Sequence, residues 1–285
     1  MNDAPEPLNR RILITGASRG LGRATALRLA GPGISLGLAG RAPSPELTEV
    51  LRIVKDRGAR AVQLSGDLAD PEVPASLVNA TSEAFGGLDG LVINAAIGLA
   101  GPLLARDLAA WTRVFDVNVR ATWLLAATAH PHLSSTAGSI VVIGSISGLV
   151  PHVGLGAYSA SKAAVAMLVR QMAQEWAADR VRVNAVLPGY MLTSSAKALL
   201  YDVVPGLLEE RAESIPLGRL GEPREVADAV SFFLSDSSSY CTGQELVVDG
   251  GYADSRLARD AALDQMTAVA SQLRDPAKPP TNSAG

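Results

Sequence analysis

Cysteine is nearly absent from this chain. The single residue Cys241 excludes an intrachain disulfide framework and fits a reducing compartment. We read it as a small buried apolar residue beside a strand. Histidine is also scarce, with three in 285 residues, and no Cys, His or carboxylate cluster stands at ligand spacing, so no metal site is expected. Long apolar runs are missing: no stretch approaches the roughly 18 uncharged residues of a membrane span. The opening MNDAPEPLNRR is acidic and proline-rich with no apolar segment behind it, which argues against an export signal and for a cytoplasmic protein. Neither charge is in excess. A net charge of −3 gives no global attraction to nucleic acid or anionic lipid. What is present is apolar bulk: 48% hydrophobic and 19% charged residues are enough to bury a sizeable core, which we read as one α/β domain without internal repeats.

Short β-branched runs recur along the chain: RILIT from Arg11, ISLGLA from Ile34, AVQL from Ala61, LDGLVIN from Leu88, SIVVIG from Ser139, VRVNAVL from Val181 and ELVVD from Glu245. These predict about seven strands. Between them lie Ala- and Leu-rich stretches such as LGRATALRLA and AAVAMLVRQMAQEWAAD, with the composition and length of helices. Alternating strands and helices predict a doubly wound, Rossmann-like parallel sheet with helices on both faces and right-handed crossovers. Such sheets bind ligands beyond the carboxyl ends of their strands. Residues 190–220 interrupt the alternation with a long connection, read as a substrate-covering lid. The catalytic domain is expected to span 1–253. Residues 254–285 form an extension in which Leu263, Met266, Ala270 and Leu273 follow helical spacing before DPAKPPTNSAG loses periodicity, so it is read as helical and then disordered.

Directly after the first strand, TGASRGLG sets Gly16, Gly20 and Gly22 where a strand turns into a helix, with Ser18, Arg19 and Leu21 in the same loop. Glycines there permit a tight turn and a close approach of backbone to a pyrophosphate, which the N–H groups of the helix start would hold. NAD binders usually carry an acid at the end of the second strand for the ribose 2′-hydroxyl. This chain reads LAGRAP, with Arg41 and no acid. A guanidinium suits a 2′-phosphate, and Arg19 supplies a second cation, so NADP is expected rather than NAD.

The run GAYSASKAAV sets Tyr158 and Lys162 four positions apart, on one face of a helix. A Lys near a helix start opposes the dipole by about 0.3–1 kcal/mol, so its charge needs another purpose. Hydride transfer to a ketone requires a proton donor, and a phenol serves when its pKa falls from about 10 toward neutrality. The ammonium of Lys162 and the charge of an oxidised nicotinamide would both favour phenolate. Ser145 closes the strand SIVVIGS thirteen residues before Tyr158, placed to bond a substrate oxygen as it gains charge.

The glycine loop, Ser145 and YSASK together resemble the short-chain dehydrogenase/reductase family over residues 11–252. Further matches are Asp67 and Leu68 in GDL, similar to the family's adenine-contacting strand end, Asn118 in DVNV at the fourth catalytic position, and Pro188, Gly189 and Thr193 in PGYMLT. In INAAIG, Asn94 and Ala95 fit while Ala96 replaces a usual glycine, a change that bears on close packing against the cofactor. The resemblance implies that the Asn118 backbone carbonyl holds a water joining Lys162 to solvent. It also implies that Lys162 grips the nicotinamide ribose and that Pro188, Gly189 and Thr193 border the nicotinamide. The nearest subfamilies are 3-oxoacyl-acyl-carrier-protein reductases and related ketoreductases. The implied activity is NADPH-dependent reduction of a ketone or β-keto thioester to a secondary alcohol, in a homotetramer or dimer built on helices around 107–130 and 157–178.

Rival readings are an alcohol dehydrogenase working oxidatively and a non-catalytic NADP-sensing protein, which would have no need of the Ser, Tyr and Lys set. A hydrolase is disfavoured. SASK matches Ser-x-x-Lys but lacks its companion motifs, and in GSISG Ile146 holds the place of a nucleophilic serine. The substrate is expected to be a small carbonyl compound in a mostly apolar pocket formed by Ile97 to Ala100, Ile146, Leu149, His152, Tyr190 and Leu192.

Overall fold

The β-branched runs become strands because the central ones bury both of their faces. The computed structural model describes residues 10–98, 103–105 and 107–258. In it β1 (Arg10–Thr15), β2 (Ile34–Gly40), β3 (Arg60–Ser65), β4 (Gly90–Ile93), β5 (Ser139–Ile143), β6 (Arg182–Pro188) and β7 (Glu245–Val248) form one sheet in the order β3-β2-β1-β4-β5-β6-β7. Every pair is parallel, with Ile12 opposite Leu36, Val92 opposite Val141 and Val186 opposite Leu246. The predicted doubly wound fold is therefore borne out, with seven strands and boundaries moved by a residue or two. Strand β4 begins later than LDGLVIN suggests because Asp89 is engaged elsewhere. It accepts the Arg11 backbone N–H and Nε at 2.8 Å each and Nη2 at 2.7 Å, tying the starts of β1 and β4 together.

Helices α1 (Gly20–Leu29), α2 (Pro45–Asp56), α3 (Val73–Phe85), α4 (Leu108–Phe115), α5 (Ala121–Thr136) and α6 (Gly156–Trp176) connect the first six strands. Alternate residues of β1 divide the core: Leu13 faces a cluster with Leu77 of α3, Leu125 of α5 and Val169 of α6. Ile12 and Ile14 face another with Ala26 of α1, Val50 of α2 and Val230 of α9 (Pro223–Leu234). Local chemistry fixes the ends. Ser44 caps α2 by accepting the Leu47 N–H at 3.2 Å, and Glu222 and Glu225 form a reciprocal capping box at α9 with Pro223 in its first turn.

Between α4 and α5 the helix widens into a π turn, Asp116–Arg120, which carries Asn118. Connection 190–220 holds the short α7 (Ser194–Ala196), a second π turn (Lys197–Tyr201) and α8 (Leu207–Glu213), and α10 (Tyr252–Ala258) follows β7. The predicted helical spacing at Leu263, Met266, Ala270 and Leu273 lies outside the described residues, as do Leu99 and Ala100. Cys241 is half-buried rather than buried, its carbonyl accepting the Asn184 side chain at 2.9 Å. Among the described residues no helix is long and apolar enough to cross a membrane, and no group of three or more metal-ligating side chains is found.

Candidate active site

Strand order reverses between β1 and β4, so the loops leaving these two strands diverge and open a crevice. Gly16 and Gly20 line its base at φ of 67° and 55°, backbone that side-chain-bearing residues rarely adopt. A Cβ on Gly22 would lie 2.2 Å from the Gly16 carbonyl oxygen, which fixes glycine where α1 meets the loop. Asn94 braces this turn from β4, donating its side-chain amide to the Thr15 and Gly16 carbonyls at 2.9 and 3.1 Å. The Thr15 hydroxyl in turn accepts the Asn94 and Ala95 N–H groups, each at 3.1 Å.

These elements enclose a cleft of about 470 Å³. Gly16, Ser18 and Arg19 line its floor, Arg41 and Asp67 its far end, and Leu68, Asn94 and Ala95 its inner wall. A cradle that a Cβ would fill, a helix N-terminus above it and two exposed arginines at the rim match the needs of a phosphorylated dinucleotide. Leu21 packs into the core, so its contribution at the loop is its backbone N–H. Thr193 reaches the same loop: its Cγ2 lies 3.7 Å from the Cβ position of Gly20, setting the start of connection 190–220 against the phosphate turn. Pro188 ends β6 opposite Val248, and Gly189 lies so close to Asp249 that a Cβ would stand 2.5 Å from the Asp249 Cβ.

Two charges in the cleft, Arg113 and Glu46, escape sequence reasoning. Asp67 accepts from Arg113 of α4 at 2.7 Å and from the Ala69 N–H at 3.0 Å, and the Arg113 hydrogen bond holds its carboxyl below the usual range. Glu46 lines the rim near Arg19 and Arg41. Its carboxyl is held low by backbone and Ser44 hydrogen bonds, with a smaller attraction to Arg19.

At the carboxyl end of β5, Ser145 caps a 3-10 turn by accepting the Ser147 N–H at 3.1 Å, and its side chain hydrogen-bonds with that of Tyr158. Helix α6 packs tightly on this turn, since a Cβ on Gly148 would stand 2.9 Å from the Lys162 carbonyl carbon. Because α6 starts at Gly156, Lys162 occupies its second turn, past the strongest part of the dipole. Lys162 Nζ is buried, donates to the Ile143 carbonyl at 2.7 Å and lies 5.7 Å from the Tyr158 ring centroid. Burial lowers the ammonium to about 8. Burial also pushes the Tyr158 phenol above its ordinary value, against a smaller opposing effect of the Ser145 hydrogen bond. This differs from the expected depression, for a physical reason. In the chain alone desolvation outweighs the Ser145 hydrogen bond, and the further cation that the expectation invoked belongs to the oxidised cofactor.

The π turn carries Asn118 with its side chain buried. Its Oδ1 accepts the Ile97 N–H at 2.9 Å, and its Nδ2 donates to the Ile97 carbonyl and Ser161 Oγ, each at 3.0 Å. Ser161 Oγ donates to the Tyr158 carbonyl at 2.7 Å, so Asn118, Ser161 and Tyr158 form one chain of hydrogen bonds. The Asn118 backbone carbonyl accepts from the Thr122 hydroxyl at 2.7 Å.

The residues expected around substrate separate into two groups. Ile146, Tyr190 and His152 come together with Tyr252, which sequence reasoning missed because it lies beyond the last strand. Tyr190 meets Tyr252 at 4.8 Å between ring centroids and His152 at 6.1 Å, and Tyr190 and Tyr252 pack against the cluster of Ile146, Ile215 and Leu220. Ile97 instead lines the dinucleotide cleft, because its backbone is held by Asn118, while Leu192 and Leu149 are exposed.

A glycine-loop cleft joined to a Ser, Tyr and Lys cluster on a seven-stranded parallel sheet defines a nucleotide-dependent oxidoreductase, and comparison with known proteins agrees. A family model described as enoyl-(acyl carrier protein) reductase matches residues 16–253. A cis-4-hydroxycyclohexanecarboxylate dehydrogenase of Sinomonas cyclohexanicum is 39% identical over 85% of this chain and 96% of its own length. A 3-oxoacyl-[acyl-carrier-protein] reductase of Staphylococcus aureus is 32% identical over 86% of this chain and 98% of its own. A solved structure from Agrobacterium tumefaciens with bound NADP superposes with a TM-score of 0.78 at 33% identity, covering 90% of this chain and 100% of that one. The chain belongs to the short-chain dehydrogenase/reductase family.

Proposed function

We propose that this protein is an NADPH-dependent reductase that converts a ketone, or a β-keto thioester, into a secondary alcohol. The observation that carries this reading is the meeting of Ser145, Tyr158 and Lys162 at the carboxyl edge of the sheet, beside a cleft that only glycine can shape. When bound, the nicotinamide supplies the hydride. The chain's residues do the rest. The Tyr158 hydroxyl delivers a proton to the carbonyl oxygen while the Ser145 hydroxyl holds that oxygen in place as it gains charge. Lys162 binds ribose and, once a second positive charge lies nearby, helps to lower the phenol. Asn118 anchors proton supply through its backbone carbonyl, and Pro188, Gly189 and Thr193 border the ring. Arg19 and Arg41 hold the 2′-phosphate, with Asp67 and Leu68 beside the adenine.

The apolar faces of Ile146, His152, Tyr190 and Leu192 meet the substrate, with residues 190–220 as its cover. The domain ends near residue 253. Alcohol oxidation by the same residues is the second reading, since the Sinomonas relative is named a dehydrogenase. We also assign a homo-oligomeric state, dimer or tetramer. An open apolar groove of about 680 Å³ runs between the α4–α5 helix and α6, lined by Phe115, Val119, Trp123, Met167 and Leu168. Absorbance at 340 nm, followed with NADPH and NADH across ketones, β-keto thioesters and quinones, and in reverse with alcohols, tests the reading. Reduction with NADPH well above NADH is expected. Inertness toward every carbonyl substrate with intact cofactor binding would favour a sensor instead.

A further inference from the structure

Arg211 on α8 lies over the Tyr190 ring, with its guanidinium carbon 3.9 Å from the ring centroid. It also hydrogen-bonds the Tyr201 hydroxyl. Its Nε is buried without a hydrogen-bond partner, and Arg211 enters no ion pair among the described residues. Glu209, Glu210 and Glu213 on the same helix are exposed. A buried guanidinium edge without an acceptor is costly, and an acceptor arriving from elsewhere would relieve it. Its location says from where. Tyr190 packs in the same cluster as Ile146, the residue that follows Ser145, so Arg211 stands at the aromatic wall of the substrate side.

We propose that Arg211 is an anion-binding residue of the substrate site and that the substrate of this enzyme carries a carboxylate. This rests on the carbonyl-reductase reading and narrows it to keto acids, or hydroxy acids in the oxidative direction. A carboxylate is the anion that fits. The guanidinium fork matches it in two parallel bonds, while a lone Arg beside three acidic residues gives no second cation for a dianion such as a phosphate monoester. Contact with the Tyr190 ring holds the guanidinium in place before the substrate arrives.

The test uses the full chain loaded with NADPH and the matched pair 4-oxocyclohexanecarboxylate and its methyl ester. A charge-assisted bond of this kind corresponds to about a tenfold to hundredfold preference, read as a lower KM for the acid. Arg211→Ala is expected to abolish the preference and Arg211→Lys to retain part of it. Arg211→Gln preserves bulk against Tyr190 should the alanine variant fold poorly, and NADPH affinity reports folding in each. Equal KM for acid and ester in the parent, or a preference undiminished by loss of Arg211, would overturn the proposal. A second readout separates it from the reductase reading: calorimetric titration of the NADP-loaded protein with cyclohexanecarboxylate and its methyl ester. Acid-selective, Arg211-dependent binding without turnover of either ketone would sink the reductase and keep the anion site. If neither probe binds, the anion site falls.

Discussion

Burial governs the two groups on which the proposed chemistry depends. Lys162 has its ammonium depressed to about 8 against an ordinary 10.5. Below pH 8 the lysine is charged in both folded and unfolded chains, so the folded state bears the full burial penalty, about 3 kcal/mol. Between pH 8 and about 10.5 only the unfolded chain holds the proton, so this contribution makes stability rise with pH. Lys162→Met is therefore expected to be more resistant to urea than the parent at pH 7, with the gap narrowing toward pH 10, while turnover is lost. A constant gap across that range would show that burial does not set the Lys162 proton. For the phenol, Tyr158→Phe should lower kcat by about a hundredfold to ten-thousandfold with NADPH affinity kept, and unchanged turnover would remove the proton-donor role. Both residues are legible from the chain because their partnership is a local helical spacing. Arg113, Ser161 and Tyr252 are not, because each meets its partner through tertiary contacts: Asp67 is 46 positions from Arg113, and Asn118 is 43 from Ser161.

Elements hold these residues in place, and two of them offer direct checks. The loop into α1 accepts only glycine at position 22, so Gly22→Ala should weaken NADPH binding more than tenfold in a fluorescence titration while the far-UV spectrum stays helical. At the opposite edge, Arg11 and Asp89 pair with side chains only 27% and 16% exposed. Hydrogen bonds from Arg11 overcome burial and leave the Asp89 carboxyl below its usual value. That stabilisation is present above the unfolded pKa near 4 and is lost as pH falls through the folded one. Asp89→Asn is expected to cost about 1–3 kcal/mol in urea denaturation at pH 7, a difference that shrinks in acid. Strands and most helices were readable because hydrophobic period and composition decide them. The π turn was not. DVNVR offers only Val117 and Val119, two positions apart, a spacing that does not mark a widened turn, and the partner that Asn118 meets there, Ile97, is 21 positions away.

For the whole molecule, the outward face of α5 and α6 keeps Trp123 and Met167 at 52% and 58% exposure, a large apolar area for a chain alone in water. Trp123→Glu and Met167→Glu are expected to shift the protein to a smaller species in size-exclusion chromatography with light scattering. A parent that runs as a monomer would refute the assigned assembly. The same long helix joins this face to the proposed catalytic cluster. A π turn amounts to one surplus residue inserted in a continuous rod. Excising a single position between Asp116 and Arg120 would let the rod rewind into regular register with its flanking packing intact, while Asn118 lost its grip on Ile97 and Ser161. Architecture and reactivity are thus separable at one locus: such a deletion should yield a folded, nucleotide-competent but inert protein.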